Sequence, residues 1–166
     1  MATEIERKFL LTGDGWRALS VRQERLRDGL VASTADRKVR VRIYDSGGTG
    51  RATLTVKTGT GARRNAEFEY AIPVADAEAL LARHCGDMLL TKTRHYVPHC
   101  GFTWEIDVYE GSLDGVVMAE VELPREDIEV PLPPWVGREV TGDPDYKKIN
   151  LQKARLAAQE TARANS

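Results

Sequence analysis

Apolar and polar residues alternate one for one through most of this chain. The clearest run is RKVRVRIYD (37–45), in which Val39, Val41 and Ile43 interleave with Lys38, Arg40 and Arg42. A period of two sends successive side chains to opposite faces of a strand. The same beat predicts strands over 3–12, 51–58, 65–73, 89–98, 102–110 and 116–124. Residues 21–33 read as a strand interrupted near Asp28-Gly29, and 13–20 as a turn with a short helix or loop. SGGTG (46–50) and GSLDG (111–115) are hairpin connections, and GTGARR (59–64) is a further loop. Pro73 stops one strand, and helical spacing then runs through VADAEALLARHCG (74–86) to a stop at Gly86. A proline-bearing stretch (131–146) reads as irregular, and an alanine-rich helix is predicted over 147–164. Eight strands joined mostly as hairpins, with two helices, argue an antiparallel α+β fold in one domain over 1–166.

Composition narrows the chemistry. The formal net charge is −1, so no global field recruits nucleic acid or an anionic membrane. No apolar run reaches the roughly 18 residues that span a bilayer, and no basic-then-apolar leader opens the chain. Cys85 and Cys100 are far apart and form no metal-spaced motif. They read as reduced thiols, and the protein is expected in the cytoplasm. His84, His95 and His99 form no ligand cluster, and Trp16, Trp104 and Trp135 read as packing residues. Tyr44, Tyr96 and Trp104 could stack a nucleobase, but they too read as core.

The charges themselves are arranged by strand. One face of the first strand carries Glu4, Glu6 and Lys8, and one face of the third carries Lys38, Arg40 and Arg42. Thr53, Thr55 and Lys57 share a face, as do Glu67 and Glu69, Lys92 and Arg94, Glu105 and Asp107, and Glu120 and Glu122. A solvated sheet face is polar, but it gains nothing from like charges repeated at every second position. The grouping makes sense if the sheet curls and this face turns inward around ligands of opposite sign. Unpaired burial would cost several kcal/mol per charge, so the interior must be hydrated and matched by bound ions. Carboxylates without His or Cys favour hard cations such as Mg²⁺ or Mn²⁺, and Arg and Lys favour phosphate oxygens.

The opening EIERKF fits an ExExK signature, and VRVRI, LTVK, EFEY, KTRHYV, WEIDVYEG, AEVEL and PPWVGREVTGDPDY follow it in order. This ordered set resembles the CYTH superfamily, the triphosphate tunnel metalloenzymes, over nearly all of the chain to about residue 151. The resemblance implies an eight-stranded antiparallel barrel forming a tunnel, outer helices, and a C-terminal helix plugging one end. It implies Mg²⁺- or Mn²⁺-dependent hydrolysis of inorganic tripolyphosphate or another triphosphate. Carried over by position, Glu4, Glu6, Glu120 and Glu122, with Asp107, resemble metal ligands. Lys8, Arg40, Arg42, Lys57, Lys92 and Arg94 resemble a phosphate cradle, with Lys147 or Lys148 reaching in from the terminal helix. Lys92, Glu67 and Glu69 are the candidates for handling the attacking water, and Glu105 is a further acid. Small bacterial members resembling this chain carry a second-strand tyrosine, where RQERLRDGLV here offers Arg25 or Leu30. Alternatives within the fold are a nucleoside or thiamine triphosphatase, a class IV-type adenylyl cyclase, and a polyphosphate-binding module without turnover. Pairing of two copies through the alanine-rich helix is left open.

Overall fold

The computed structural model describes residues 2–45, 50–59, 61 and 63–164. Nine antiparallel strands appear in chain order: β1 (Ala2–Leu11), β2 (Arg22–Ser33), β3 (Arg37–Asp45), β4 (Arg51–Gly59), β5 (Arg64–Ile72), β6 (Leu89–His99), β7 (Phe102–Glu110), β8 (Val117–Glu122) and β9 (Val136–Glu139). Helix α1 (Val74–His84) lies between β5 and β6, and α2 (Lys148–Ala164) follows β9. The strands run β5-β4-β3-β2-β6-β7-β8-β1, and β1 pairs back onto β5 from Ala2↔Glu67 to Ile5↔Arg64. Eight strands thus close into a barrel, as the inward-turned charges require. The turn expected over 46–50 lies outside the described residues except for Gly50, as do positions 60 and 62 of the loop expected over 59–64. Among the described residues, no helix is long and apolar enough to cross a membrane.

The apolar core lies outside the barrel wall, in two layers. One joins Ile5, Phe9, Trp104, Ile106, Ala119 and Val121 to Trp16, Val130 and Trp135 from the covering loops. Its rings interlock, with Phe9–Trp104 centroids 5.4 Å apart and Trp104–Trp135 5.6 Å apart. The second layer packs Ala77, Leu81 and Cys85 of α1 against Val41, Ile43 and Ala52. Each fully buried large apolar side chain contributes about 1.5–3 kcal/mol. Because both layers grip the outward residues of each strand, the alternation drives the charged set into the interior.

Two sequence expectations change. β2 is continuous through Asp28 and Gly29, and its irregularity falls later, between Leu30 and Ala32. Gly29 is a packing device: a Cβ there would stand 2.5 Å from both Cys85 Sγ and Leu81 Cδ2. The stretch 131–146 is not wholly irregular either. β9 takes the edge of β1 beyond the reach of β5, pairing Phe9 with Glu139 and Leu11 with Val136. Gly137 permits this approach, since a Cβ would lie 2.9 Å from Thr12 Cγ2. The helix α2 seats at one barrel end through Gln152, whose Nε2 donates to the Asp87 and Leu89 carbonyls at 2.8 and 2.9 Å.

Candidate active site

Cross-strand register fixes which side chains share the interior, because directly opposed residues point to the same face. Lys8 faces Glu120, Glu6 faces Glu122, Arg94 faces Asp107, and Glu105 faces Glu120. Lys38 faces Lys57, Arg40 faces Thr55, and Lys57 faces Glu67. Every candidate named above from β1, β3, β4, β5, β6, β7 and β8 therefore converges on one lumen.

Asp107 anchors its centre and is completely buried, as is Lys92. Arg94 grips Asp107 with two donors, Nε to Oδ1 at 2.7 Å and Nη2 to Oδ2 at 2.8 Å. Lys92 Nζ donates to the same Oδ2 at 2.5 Å. Arg94 also reaches Glu120 at 3.3 Å and pairs with Glu105. From α2, Lys148 inserts its ammonium 2.9 Å from Glu120 and 3.8 Å from Asp107. Lys8 completes the group, 3.1 Å from Glu6 and 3.4 Å from Glu120. Burial pushes the Asp107 and Glu120 carboxyls up, but the surrounding cations overcome it and hold both below the ordinary carboxylate range. Lys92 goes the other way. Burial depresses it well below an ordinary lysine, and Arg94, Lys148 and Arg42 add repulsion that Asp107 only partly offsets.

Two further groups line the wall. Arg42 and Asp28 form a buried two-pronged pair at 2.6 and 2.7 Å. Lys57 pairs with Glu4 and lies 3.6 Å from both Glu6 and Glu67, while Thr55 donates to Glu69 at 3.0 Å. Among the described residues, no cation pairs with Glu122 to lower it. Burial and the carboxylates of Glu4, Glu105, Glu6 and Glu67 raise its carboxyl above the ordinary range. Lys38 is lowered by burial and by Lys8, Lys147, Lys57 and Lys148. Among the described residues, no three His, Cys, Asp or Glu side chains form a ready-made metal cage. The lysines occupy the carboxylates instead. Such an all-oxygen set still suits Mg²⁺, which takes one or two carboxylates and completes its shell with water and substrate phosphate.

Among the described residues, five buried polar atoms on the inner face make no hydrogen bond: Arg40 Nε, Thr53 Oγ1, Glu67 Oε2, Tyr109 Oη and Glu120 Oε1. Glu120 Oε1 meets only the ion-pair contacts of Lys8 and Lys148. Buried polar atoms of this kind ordinarily find partners, so their collection on one face marks a place for a ligand or ordered water.

The sequence reading missed Glu24, Asp28 and Tyr109. On β2 the outward positions Arg25 and Arg27 are also charged, paired with Glu110 and Glu78, and the inward Leu26 is apolar. Both faces of β2 therefore look mixed. Tyr44 and Tyr96 were read as core but face inward, opposite Leu26 and Glu105; Trp104 does lie in the outer core. Lys148, not Lys147, enters the lumen.

A CYTH domain model matches residues 2–155. The chain belongs to the CYTH family. An inorganic triphosphatase of Acetivibrio thermocellus is 42% identical over 154 residues, covering 92% of this chain and 95% of that protein. An inorganic triphosphatase of Nitrosomonas europaea is 35% identical over 156 residues, covering 90% and 96%. The crystal structure of an inorganic triphosphatase superposes with a TM-score of 0.61 at 32% identity, covering 92% of this chain and 95% of its own. The CYTH barrel accounts for the closure of β1 onto β5 and for the helix seated at the barrel end.

Proposed function

We propose that this CYTH chain is a divalent-metal-dependent inorganic triphosphatase acting inside its barrel. The observation that carries the reading is the pairing of like charges across strands. Lys38 stands directly opposite Lys57, Glu6 opposite Glu122, and Glu105 opposite Glu120. Like charges directly opposed destabilise a sheet. An anion between the lysines and a cation between the acids turns both arrangements into gains, and a metal–polyphosphate complex brings the two together.

Glu4, Glu6, Glu120 and Glu122 would hold Mg²⁺ or Mn²⁺, and Asp107 keeps Lys92 and Arg94 in place behind them. A bound metal supplies neutralisation of charge on phosphoryl oxygens. The chain's own cations do the rest of the positioning. Lys8, Arg40, Lys57, Lys92, Arg94 and Lys148 meet the non-bridging oxygens, and Arg42, pinned by Asp28, offers its remaining donors. Phosphoryl transfer needs little beyond such placement and charge compensation. Glu69, oriented by Thr55, and Glu67, whose Oε2 has the ion-pair contact of Lys57 but no hydrogen bond, position a water beside the terminal phosphorus. The water oxygen bonds to that phosphorus as the bridging P–O bond breaks. The water's proton passes to Glu67, and the electron pair leaves on pyrophosphate. The products are pyrophosphate and orthophosphate.

The test is orthophosphate release from tripolyphosphate by the purified protein with Mg²⁺ or Mn²⁺. Turnover is expected with either metal and loss of turnover with chelator. Equal rates in both refute the metal role, and no release with any divalent ion refutes the activity.

A further inference from the structure

Tyr109 lies inside the lumen but has no part in the chemistry assigned above. It stands directly opposite Lys92 across β6 and β7, and the Lys92 ammonium is 5.6 Å from its ring centroid. It is the last inward residue of β7 before the turn Gly111–Leu113, against which α2 packs. The ring therefore sits at the end of the barrel where α2 seats. The residue is 2% exposed, and among the described residues its buried Oη has no hydrogen-bond partner.

The surroundings explain why the chain supplies no acceptor. Three carboxylates act on the phenol, those of Asp107, Glu120 and Asp28. Each is already engaged. Lys92 and Arg94 hold Asp107, Arg42 holds Asp28, and Arg94, Lys8 and Lys148 surround Glu120. Leu26, opposite Lys92, and Met118, opposite Asp107, are apolar and buried. Burial and the three carboxylates push the phenol well above its ordinary range, so it keeps its proton and remains a donor. Beside it, Lys92 donates to Asp107 and keeps spare protons. Buried donors ordinarily find acceptors. Spare donors side by side, with the neighbouring acceptors taken, call for a ligand that brings acceptors only, as a phosphate group does.

We propose that Tyr109 is a substrate-binding residue whose hydroxyl donates to a non-bridging oxygen of the phosphate that seats deepest, beside Lys92. The inference rests on the triphosphatase reading and adds a neutral contact to its cationic cradle. A contact made equally to substrate and transition state strengthens binding and leaves the chemical step alone. Losing one hydrogen bond to a charged acceptor costs about tenfold in affinity.

The experiment compares the wild type with Tyr109→Phe, which removes one hydroxyl and keeps the ring. Calorimetry measures tripolyphosphate affinity in the presence of chelator, and initial rates with Mg²⁺ give KM and kcat. In the variant Kd and KM rise about tenfold while kcat stays near the wild-type value. Affinity falls with added salt along a parallel slope, because no charge has been removed. The Tm of the free protein holds or rises, because the lost hydroxyl had no partner. Unchanged affinity overturns the proposal. A lower kcat at unchanged affinity overturns it too, since the hydroxyl then serves the chemical step through Lys92 or the water. A flatter salt slope, or a lower Tm in the free protein, marks a packing role that holds the lumen cations in place and also overturns it. A wild type that binds tripolyphosphate without turnover refutes the triphosphatase reading, while the calorimetric ratio still decides the contact. A wild type that does neither refutes both.

Discussion

Replacing Asp107 with asparagine removes one charge and almost no volume from the centre of the lumen. The side chain is 0% exposed and takes three short contacts, at 2.5, 2.7 and 2.8 Å, from Lys92 and Arg94. Lys148 stands 3.8 Å away. Asparagine keeps one acceptor, but it leaves buried cations in excess. Removing one partner of a buried ion pair costs about 3–5 kcal/mol. For a chain of this size that lowers Tm by about 6–20 °C. The deficit depends on pH in a definite sense. Asp107 has a folded pKa below its unfolded value of about 3.9, so its contribution is present above that value and is lost as pH falls through the folded one. Lys92 has a folded pKa below its unfolded value of about 10.4. Its unfolded form binds the extra proton between the two, so stability rises with pH across that window. Asparagine depresses Lys92 further, and the deficit shrinks as pH is raised from neutrality. Tripolyphosphate with Mg²⁺ supplies the missing negative charge, so it raises the Tm of Asp107→Asn more than that of the wild type. The assay is thermal unfolding at several pH values, with and without ligand. A ligand-free loss below about 1 kcal/mol, or an equal ligand-induced shift in both proteins, refutes the view that Asp107 balances the lumen cations.

Glu122→Gln relieves crowding with Glu4, Glu6, Glu67 and Glu105, so it raises Tm in the absence of metal while reducing the Tm gain from added Mg²⁺. Thermal scans with and without the ion check both signs. Gly29→Ala drives a methyl against Leu81 and Cys85, 2.5 Å away, and destabilises by about 1–3 kcal/mol in denaturant titrations. Its tripolyphosphate turnover below the transition stays near that of the wild type, because Gly29 packs on the outer layer.

Seven of the eight barrel strands were legible because residues such as Val39, Val41 and Ile43, Leu54 and Val56, and Ile106 and Val108 keep strict time against charged neighbours. The inward direction of the charges was legible because like signs recur on single strands, which an open surface does not reward. β2 resisted reading for two reasons. Arg25 and Arg27 decorate the outer face, paired with Glu110 and with Glu78 of α1, and Leu26 sits inward among Tyr44 and Lys92. Periodicity loses its meaning when both faces carry both kinds of residue. β9 was hidden because a four-residue strand between Pro134 and Gly142 carries too little alternation to detect. It exists only because β1 outruns β5 and offers an unpaired edge. The ion-pair partners inside the lumen were out of reach for a different reason. Period two assigns a face, but pairing Arg42 with Asp28 or Lys148 with Glu120 needs the register, and register is set by how the outer layers pack.

Because Lys8 arrives on the first strand, Glu120 on the eighth and Lys148 only with the closing helix, the lumen cannot neutralise itself while the chain is being made. A polypeptide emerging from the ribosome can offer Lys57 to Glu4 and Glu6 once β4 is made, but Lys8 lacks Glu120 until β8 has been synthesised. Contacts so distant in sequence also make barrel closure slow. Metal and polyphosphate should therefore find no competent site on unfinished chains. Competence should come late and all together, when both ends of the polypeptide meet in the same ring.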